Sequence, residues 1–276
     1  MLLCEIFHDH STNTALSFTL GIAQMNPTPN VEETLETIGQ LAGKLRGDGA
    51  EMAVFPEYCT CLASMETTKK VARPHEEWLA LFAPIARANG LALVLGGVSC
   101  LAPDGNVYNR TYVLNADGSL IAFYDKRHLF ELKLNRYGFI SETDAFVPGH
   151  DIKSFRFKEF HIGLATCFDV RFGEMFTHFT ECNLVICTAA FTASTGLPHW
   201  NALLQARAIE NQQWFAGVDI CGTNPETGIE LYGHSIVFDP WGLPVASADH
   251  NEPATFVAEI STERVKYIRN KLPMIR

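Results

Sequence analysis

Nowhere does this 276-residue sequence string together the roughly 18 apolar residues that a membrane-spanning helix needs, so no membrane span is expected. Dense basic clusters are also missing. Lys and Arg number 21 against 31 Asp and Glu, a formal net charge of −10, which argues against a surface built to neutralise nucleic-acid phosphates. The opening "MLLCEIFHDHSTNTALS" has no basic n-region and no A-x-A site, and Glu5 and Asp9 flank its short apolar run, so it does not read as a secretory signal. Eight cysteines occur without a C-x-x-C pair or a regular spacing, which excludes a recognisable disulfide framework. The "CTC" at Cys59 and Cys61 lacks the second cysteine pair or neighbouring His pair of a zinc site. The expectation is a cytosolic protein with reduced thiols, no metal and no cofactor.

What is present is apolar content of 47%, enough for a sizeable core, and no linker that would divide it. One domain is expected over residues 17–276, after an extension over residues 1–16 of unassigned role. Residues 17–25 read as a buried strand, 31–50 as an amphipathic helix ending in glycines, and 51–57 as a strand with Pro56 at its end. A helix over 75–90 with a glycine stop and a strand through "LALVLGGVSC" follow. "NVYNRTYVLNADGSLIAFYDK" gives two strands joined through "ADG", a hairpin signal. Residues 127–149 are irregular and too long for an ordinary connection, so a functional loop or lid is expected there. Two short strands, a helix from about Arg171, the strand "NLVICTAA", the helix "PHWNALLQARAIENQQ", three more strands, a "DPWG" turn and a Ser- or Thr-capped terminal helix complete the chain. The alternation implies an α/β fold with helices covering the outer faces of sheets.

Three polar residues share one kind of place. Glu57 follows "AVFP", Lys126 follows "IAFYD" and Cys167 follows "IGLAT", each at the end of an apolar strand, where α/β folds collect their sites. Singly, each has a plainer reading: a solvated acid, a surface lysine, a core thiol. Together they make chemistry. A free thiol with a pKa near ~8.5 is mostly protonated at neutral pH and needs a base or a cation. Glu57 supplies the first and Lys126 the second; a lysine at ~4 Å is worth up to ~4 kcal/mol to a thiolate at an effective dielectric of ~20. With the N-terminus of the following helix adding to it, the Cys167 pKa is expected to fall by a unit or more. Lys126 and the backbone N–H of Phe168 are candidate donors to a developing oxyanion.

The motifs "VFPEY", "YDKRHLF", "CFDVRFGE", "HWNALLQARAIENQ" and "GHSIVFDPWG", in this order, resemble the carbon–nitrogen hydrolase (nitrilase) superfamily over residues 18–276. That resemblance implies a four-layer α-β-β-α sandwich, commonly paired into a homodimer, and a Glu-Lys-Cys triad. Glu57 is then the general base, Lys126 the stabiliser of the tetrahedral intermediate, and Cys167 the nucleophile that forms a thioester. A further family glutamate matches Glu142 in "GFISETDAFVPG", orienting Lys126 or the substrate amine. "CFDVRFGE" followed by "AFTASTGLPHW" looks most like the omega-amidase branch, which releases ammonia from short carboxylate-bearing amides. Branch members often carry Tyr where Phe168 stands and Pro where Gly173 stands, both near the pocket.

Phe191, Thr192 and Thr195 are expected to line the pocket with Phe168. Arg171 either forms a buried ion pair with Asp169 or Glu174, the favoured reading, or meets substrate directly. His128, His199 and His234 are expected to be structural rather than a catalytic base. The implied activity is hydrolysis of a small linear amide to a carboxylic acid and ammonia; a nitrilase, an N-carbamoyl amidase and a non-catalytic binding member are the alternatives. The partner is then a small-molecule amide, with neither nucleic acid nor membrane.

Overall fold

A computed structural model describes residues 16–134 and 138–274, so the extension expected over residues 1–16 lies, except for Leu16, outside the described residues. The first half runs β1 (Ser17–Gln24), α1 (Val31–Gly47), β2 (Met52–Phe55), α2 (Met65–Lys70), β3 (Arg73–Pro74), α3 (His75–Asn89), β4 (Ala92–Leu101), β5 (Val107–Leu114) and β6 (Leu120–Asp125). A small hairpin, β7 (Glu131–Leu134) and β8 (Gly138–Ser141), then leads to a 3-10 turn at Glu142–Asp144. The second half runs β9 (Lys153–Phe157), β10 (Phe160–Thr166), α4 (Gly173–Phe176), β11 (Leu184–Ala189), α5 (Ala193–Asn211) and β12 (Trp214–Asp219). It closes with β13 (Ile236–Phe238), β14 (Pro244–Ser247), β15 (Ala254–Ser261) and α6 (Thr262–Lys271).

Capping follows the local chemistry. The Asn30 side chain accepts from the Glu33 N–H at 3.1 Å to open α1, and Ser261 accepts from the Arg264 N–H at 3.4 Å to open α6. Gly90 takes the left-handed conformation that stops α3.

Two sheets form. One has the order β15-β1-β2-β4-β5-β6, with β3 beside β4; the other has the order β14-β13-β12-β11-β10-β9. Strand periodicity feeds two cores at once. In β2, Met52 and Val54 face the second sheet, where they join Leu164 and Ile186, while Ala53 and Phe55 face α1 and α3 and meet Ile38, Trp78 and Phe82. β4 divides in the same way, Ala92 and Val94 against Leu93 and Leu95. On the far side of the second sheet, Trp200, Leu204 and Ala208 of α5 are buried. The result is the α-β-β-α sandwich.

Strand direction places the site. β2 runs parallel to β4, and two antiparallel pairings, β4 with β5 and β5 with β6, return β6 to the direction of β2. The residues after β2 and β6 therefore leave one edge of the first sheet, and β10 delivers its own C-terminal end from the facing sheet.

Three expectations change. The irregular stretch 127–149 contains the β7–β8 hairpin and the Glu142 turn, both too short for a clear periodic signal. Instead of a helix beginning near Arg171, the chain makes a 3-10 turn over Cys167–Arg171, and Phe172 at φ −102°, ψ 84° separates it from the four-residue α4. The aligned dipoles of a full helix are thus not available to Cys167. The short elements α2, β3 and β14 carry no sequence signal of their own.

The pairing of β4 with β5 shifts register between Leu95 and Val98, and the turn after β2 packs against this irregularity. Gly97 has φ +64°, and a Cβ there would lie 2.2 Å from the Tyr58 nitrogen and 2.5 Å from Glu57 Cγ. Gly97→Ala is expected to lower unfolding free energy by at least about 2 kcal/mol, read by urea denaturation, since backbone strain and overpacking act together.

Candidate active site

Glu57 stands two residues past β2, Lys126 directly after β6, and Cys167 directly after β10. Lys126 Nζ donates to Glu57 Oε1 at 2.8 Å and to Glu142 Oε1 and Oε2 at 2.9 and 2.7 Å. All three side chains are buried. Glu142 also accepts from the Phe130 N–H at 2.6 Å and the Tyr58 hydroxyl at 2.5 Å. Asn109, on β5, donates to Glu57 Oε1 at 2.8 Å and lies 3.4 Å from Glu142 Oε1, and its carbonyl accepts from the Lys126 N–H at 2.8 Å.

Glu57 Oε2 is different, for it is buried with no hydrogen-bond partner among the described residues. A carboxylate whose one oxygen is fixed by Lys126 and Asn109 and whose other is bare has the geometry of a proton acceptor. Burial raises the Glu57 pKa above the ordinary carboxylate value; Lys126 opposes this and Glu142 adds to it. Burial works against the Lys126 charge, but Glu142 and Glu57 outweigh it and hold its pKa well above the usual value.

Cys167 carries φ 47°, a left-handed backbone rare for a side chain of its kind and typical of residues a fold forces into a working position. The expected fall of its pKa does not occur. Burial, and then the Glu57 charge, push the thiol well above its ordinary value, against the pull of Lys126. Two carboxylates around one ammonium leave the cluster net negative, and a further anion is disfavoured.

Every residue singled out as catalytic or substrate-binding lines one pocket: Glu57, Lys126, Glu142 and Cys167 at its base, Phe168, Arg171, Phe191, Thr192 and Thr195 around it. Residues 19–270 match the carbon–nitrogen hydrolase family.

The chain belongs to that family. Deaminated glutathione amidase of Rattus norvegicus is 32% identical over 276 aligned residues, which cover 96% of this chain and 84% of the relative. Omega-amidase NIT2 of Xenopus tropicalis is 28% identical, with 94% of each chain covered. Among solved structures, the NitFhit protein of C. elegans superposes with a TM-score of 0.86 at 27% identity, covering 93% of this chain and 64% of that one.

In this carbon–nitrogen hydrolase the expected ion pair of Arg171 is replaced. Asp169 is already saturated by the Tyr124 hydroxyl (2.7 Å), the Thr166 N–H (2.8 Å), the His128 N–H (3.0 Å) and His128 Nδ1 (2.7 Å). Among the described residues Arg171 has no carboxylate partner: Nη1 lies 3.3 Å from His199 Nδ1, and the buried Nε has none. Its guanidinium stacks 5.2 Å from the centroid of Phe191 and 5.8 Å from that of Phe168. His128, His199 and His234 are absent from the pocket lining. No three His, Cys, Asp or Glu side chains among the described residues gather as a metal cage.

Sequence reading missed Asn109, hidden inside a strand with no motif to mark it. It also missed much of the apolar lining, including Leu62, Met65, Ile229 and Leu231, which comes from loops and the start of α2, brought together only by the fold. Lys126→Met is expected to lower stability by about 3–5 kcal/mol in chemical denaturation, because two buried carboxylates are left facing each other without their cation.

Proposed function

We infer that this chain is a thiol-dependent amidase that hydrolyses a small linear amide bearing a carboxylate, releasing ammonia through a thioester on Cys167. The observation that carries this reading is the bare Glu57 Oε2 in a pocket shared with a protonated thiol and a buried ammonium. The names of the relatives, deaminated glutathione amidase and omega-amidase NIT2, support the same class.

In the proposed mechanism Glu57 Oε2 takes the thiol proton as sulfur attacks the carbonyl carbon. The C–S bond forms and the carbonyl π pair moves to oxygen, where Lys126 Nζ and the Phe168 N–H receive it. One Lys126 N–H shared between the two Glu142 oxygens and one on Glu57 leave a third for this oxyanion. Collapse breaks the C–N bond while Glu57 returns the proton to nitrogen, and ammonia leaves. Water, deprotonated by Glu57, then attacks the thioester; the C–S bond breaks and the sulfur regains its proton. The Glu142 oxygens are filled by Lys126, Tyr58, Asn109 and Phe130, so its role here is to orient Lys126 rather than the substrate amine.

Arg171, held by two aromatic rings and without a carboxylate partner among the described residues, would receive the acid end of the substrate in the pocket it shares with Thr192 and Thr195. The same reading makes the protein one catalytic domain over residues 17–276 in the cytosol, where its described cysteines, all free, stay reduced. It also makes it a homodimer: Leu197 (79% exposed), Val245 and Trp241 are apolar side chains that a second copy would cover.

A panel of omega-amides, N-carbamoyl amines and nitriles tests the class, with ammonia release as the readout. Omega-amides are expected to turn over, and Cys167→Ala and Glu57→Gln each to lose at least about 10³-fold in kcat. Glu57 must be ionised to act, so activity is expected to fall as pH drops through its raised pKa, an acid limb above the ~4.3 of an unperturbed glutamate. Full activity in either variant sinks the reading.

The specificity part is tested separately. Arg171→Met is expected to raise KM for a carboxylate-bearing amide by about tenfold or more with kcat little changed, and to leave a neutral amide of equal length unaffected. Equal losses on both amides would remove the carboxylate from the substrate description.

A further inference from the structure

Tyr58 follows Glu57 directly and takes φ 54°, a left-handed conformation that a bulky aromatic residue adopts only when its surroundings impose it. The surroundings are identifiable. The Cys59 N–H donates to the Gly96 carbonyl at 3.2 Å, and the open space at Gly97 receives the Tyr58 backbone. The ring packs among Leu62, Phe146 and Leu231, and the strained turn aims the hydroxyl inward. It ends 2.5 Å from Glu142 Oε1, a side chain 84 residues away. Burial and the nearby Glu142 and Glu57 charges keep the phenol protonated, so it is a donor.

The donor matters because of what else reaches that oxygen. Besides Tyr58, Oε1 has Lys126 Nζ at 2.9 Å and Asn109 at 3.4 Å, the latter a long contact. Without the phenol, Oε1 would keep the Lys126 Nζ that it shares with Oε2 and the long Asn109 contact, while the Phe130 N–H holds Oε2, so the Oε1 side of the carboxylate would be the less firmly fixed. Lys126 would follow, since Glu142 supplies two of its three partners.

We propose that Tyr58 is a positioning residue that clamps Glu142 against Lys126 and so fixes the ammonium where the oxyanion forms. Its proton is committed to Glu142, so the phenol contributes a wall to the pocket rather than a hydrogen bond to substrate. The proposal rests on the amidase reading above for its catalytic consequence, and on geometry alone for the clamp.

The experiment compares Tyr58→Phe with wild type in the full chain, in the presence and absence of Glu142→Gln. Tyr58→Phe is expected to lower kcat about tenfold or more with KM within about twofold, and to have less than about a twofold effect once Glu142→Gln is in place. Tyr58→Met, an apolar filler without a donor, is expected to match it, and thermal unfolding reports whether each variant is folded. A second readout needs no turnover: alkylation of Cys167 by iodoacetamide. One donor fewer on Glu142 leaves its charge less compensated, so the thiolate forms less readily and labelling slows severalfold, again only while Glu142 is a carboxylate. Three results overturn the clamp: unchanged kcat and labelling, a KM effect alone, or equal losses in both Glu142 backgrounds. A wild type that hydrolyses no amide would sink the amidase reading, while the labelling comparison would still decide the role of Tyr58.

Discussion

A lysine ammonium buried between two carboxylates is the constraint on which the rest of the structure depends. None of the three groups is tolerable alone in an apolar interior, and together they are stable only if geometry is held closely and the remaining lone pairs are filled. Lys126 therefore requires Glu57 and Glu142, and each of these imposes a demand on the chain. Glu57 needs the turn after β2 seated on the Gly96–Gly97 irregularity of β4. Glu142 needs a hairpin to carry it back over the sheet edge, where the Phe130 N–H and the Tyr58 hydroxyl complete it. Asn109 ties both acids to β5 of the first sheet.

The second sheet meets this cluster through a different polar device. Asp169, just past Cys167, accepts from Thr166 at the end of β10 and from Tyr124 and His128 on either side of Lys126. One buried carboxylate thereby fixes the turn that carries the thiol to the segment that carries the ammonium. The ring of His128 stacks on Phe172 at 3.7 Å between centroids, which closes the joint from outside. The relative position of nucleophile and cation is set by these contacts between sheets.

The legible parts of the sequence were those where one residue type has a local consequence. Apolar strands ending in Glu57, Lys126 and Cys167 announced themselves because a charged or reactive group at a strand tip interrupts a strong pattern. The five motifs extended that reading to the four-layer architecture and to Glu142. Arg171 was misread because the neighbouring acids in sequence, Asp169 and Glu174, suggested a partner by proximity, whereas Asp169 is taken up by the adjacent Thr166 N–H and by Tyr124 and His128 from a distant segment of the chain. The helix placed after Cys167 failed for a related reason: Phe172 leaves helical geometry where helix propensity alone gives no warning. Asn109 was illegible, since its meaning depends on which strands lie next to β5.

The same cluster explains why the thiol is protonated at rest. A cation beside a cysteine suggests a lowered pKa, and that inference holds only when the cation is not already shared. Here Lys126 is neutralised twice over, so the nearest field at Cys167 is that of Glu57, and burial has the same sign. The pocket thus holds one proton on sulfur and an acceptor oxygen at Glu57 Oε2, with the proton affinity of that carboxylate raised by burial. On the proposed mechanism that pairing is the useful one, because thiolate is generated only as sulfur bonds to carbon, and the proton is then in place to leave with nitrogen. A permanently ionised cysteine would be a stronger nucleophile at rest, but it would leave Glu57 without a proton to give.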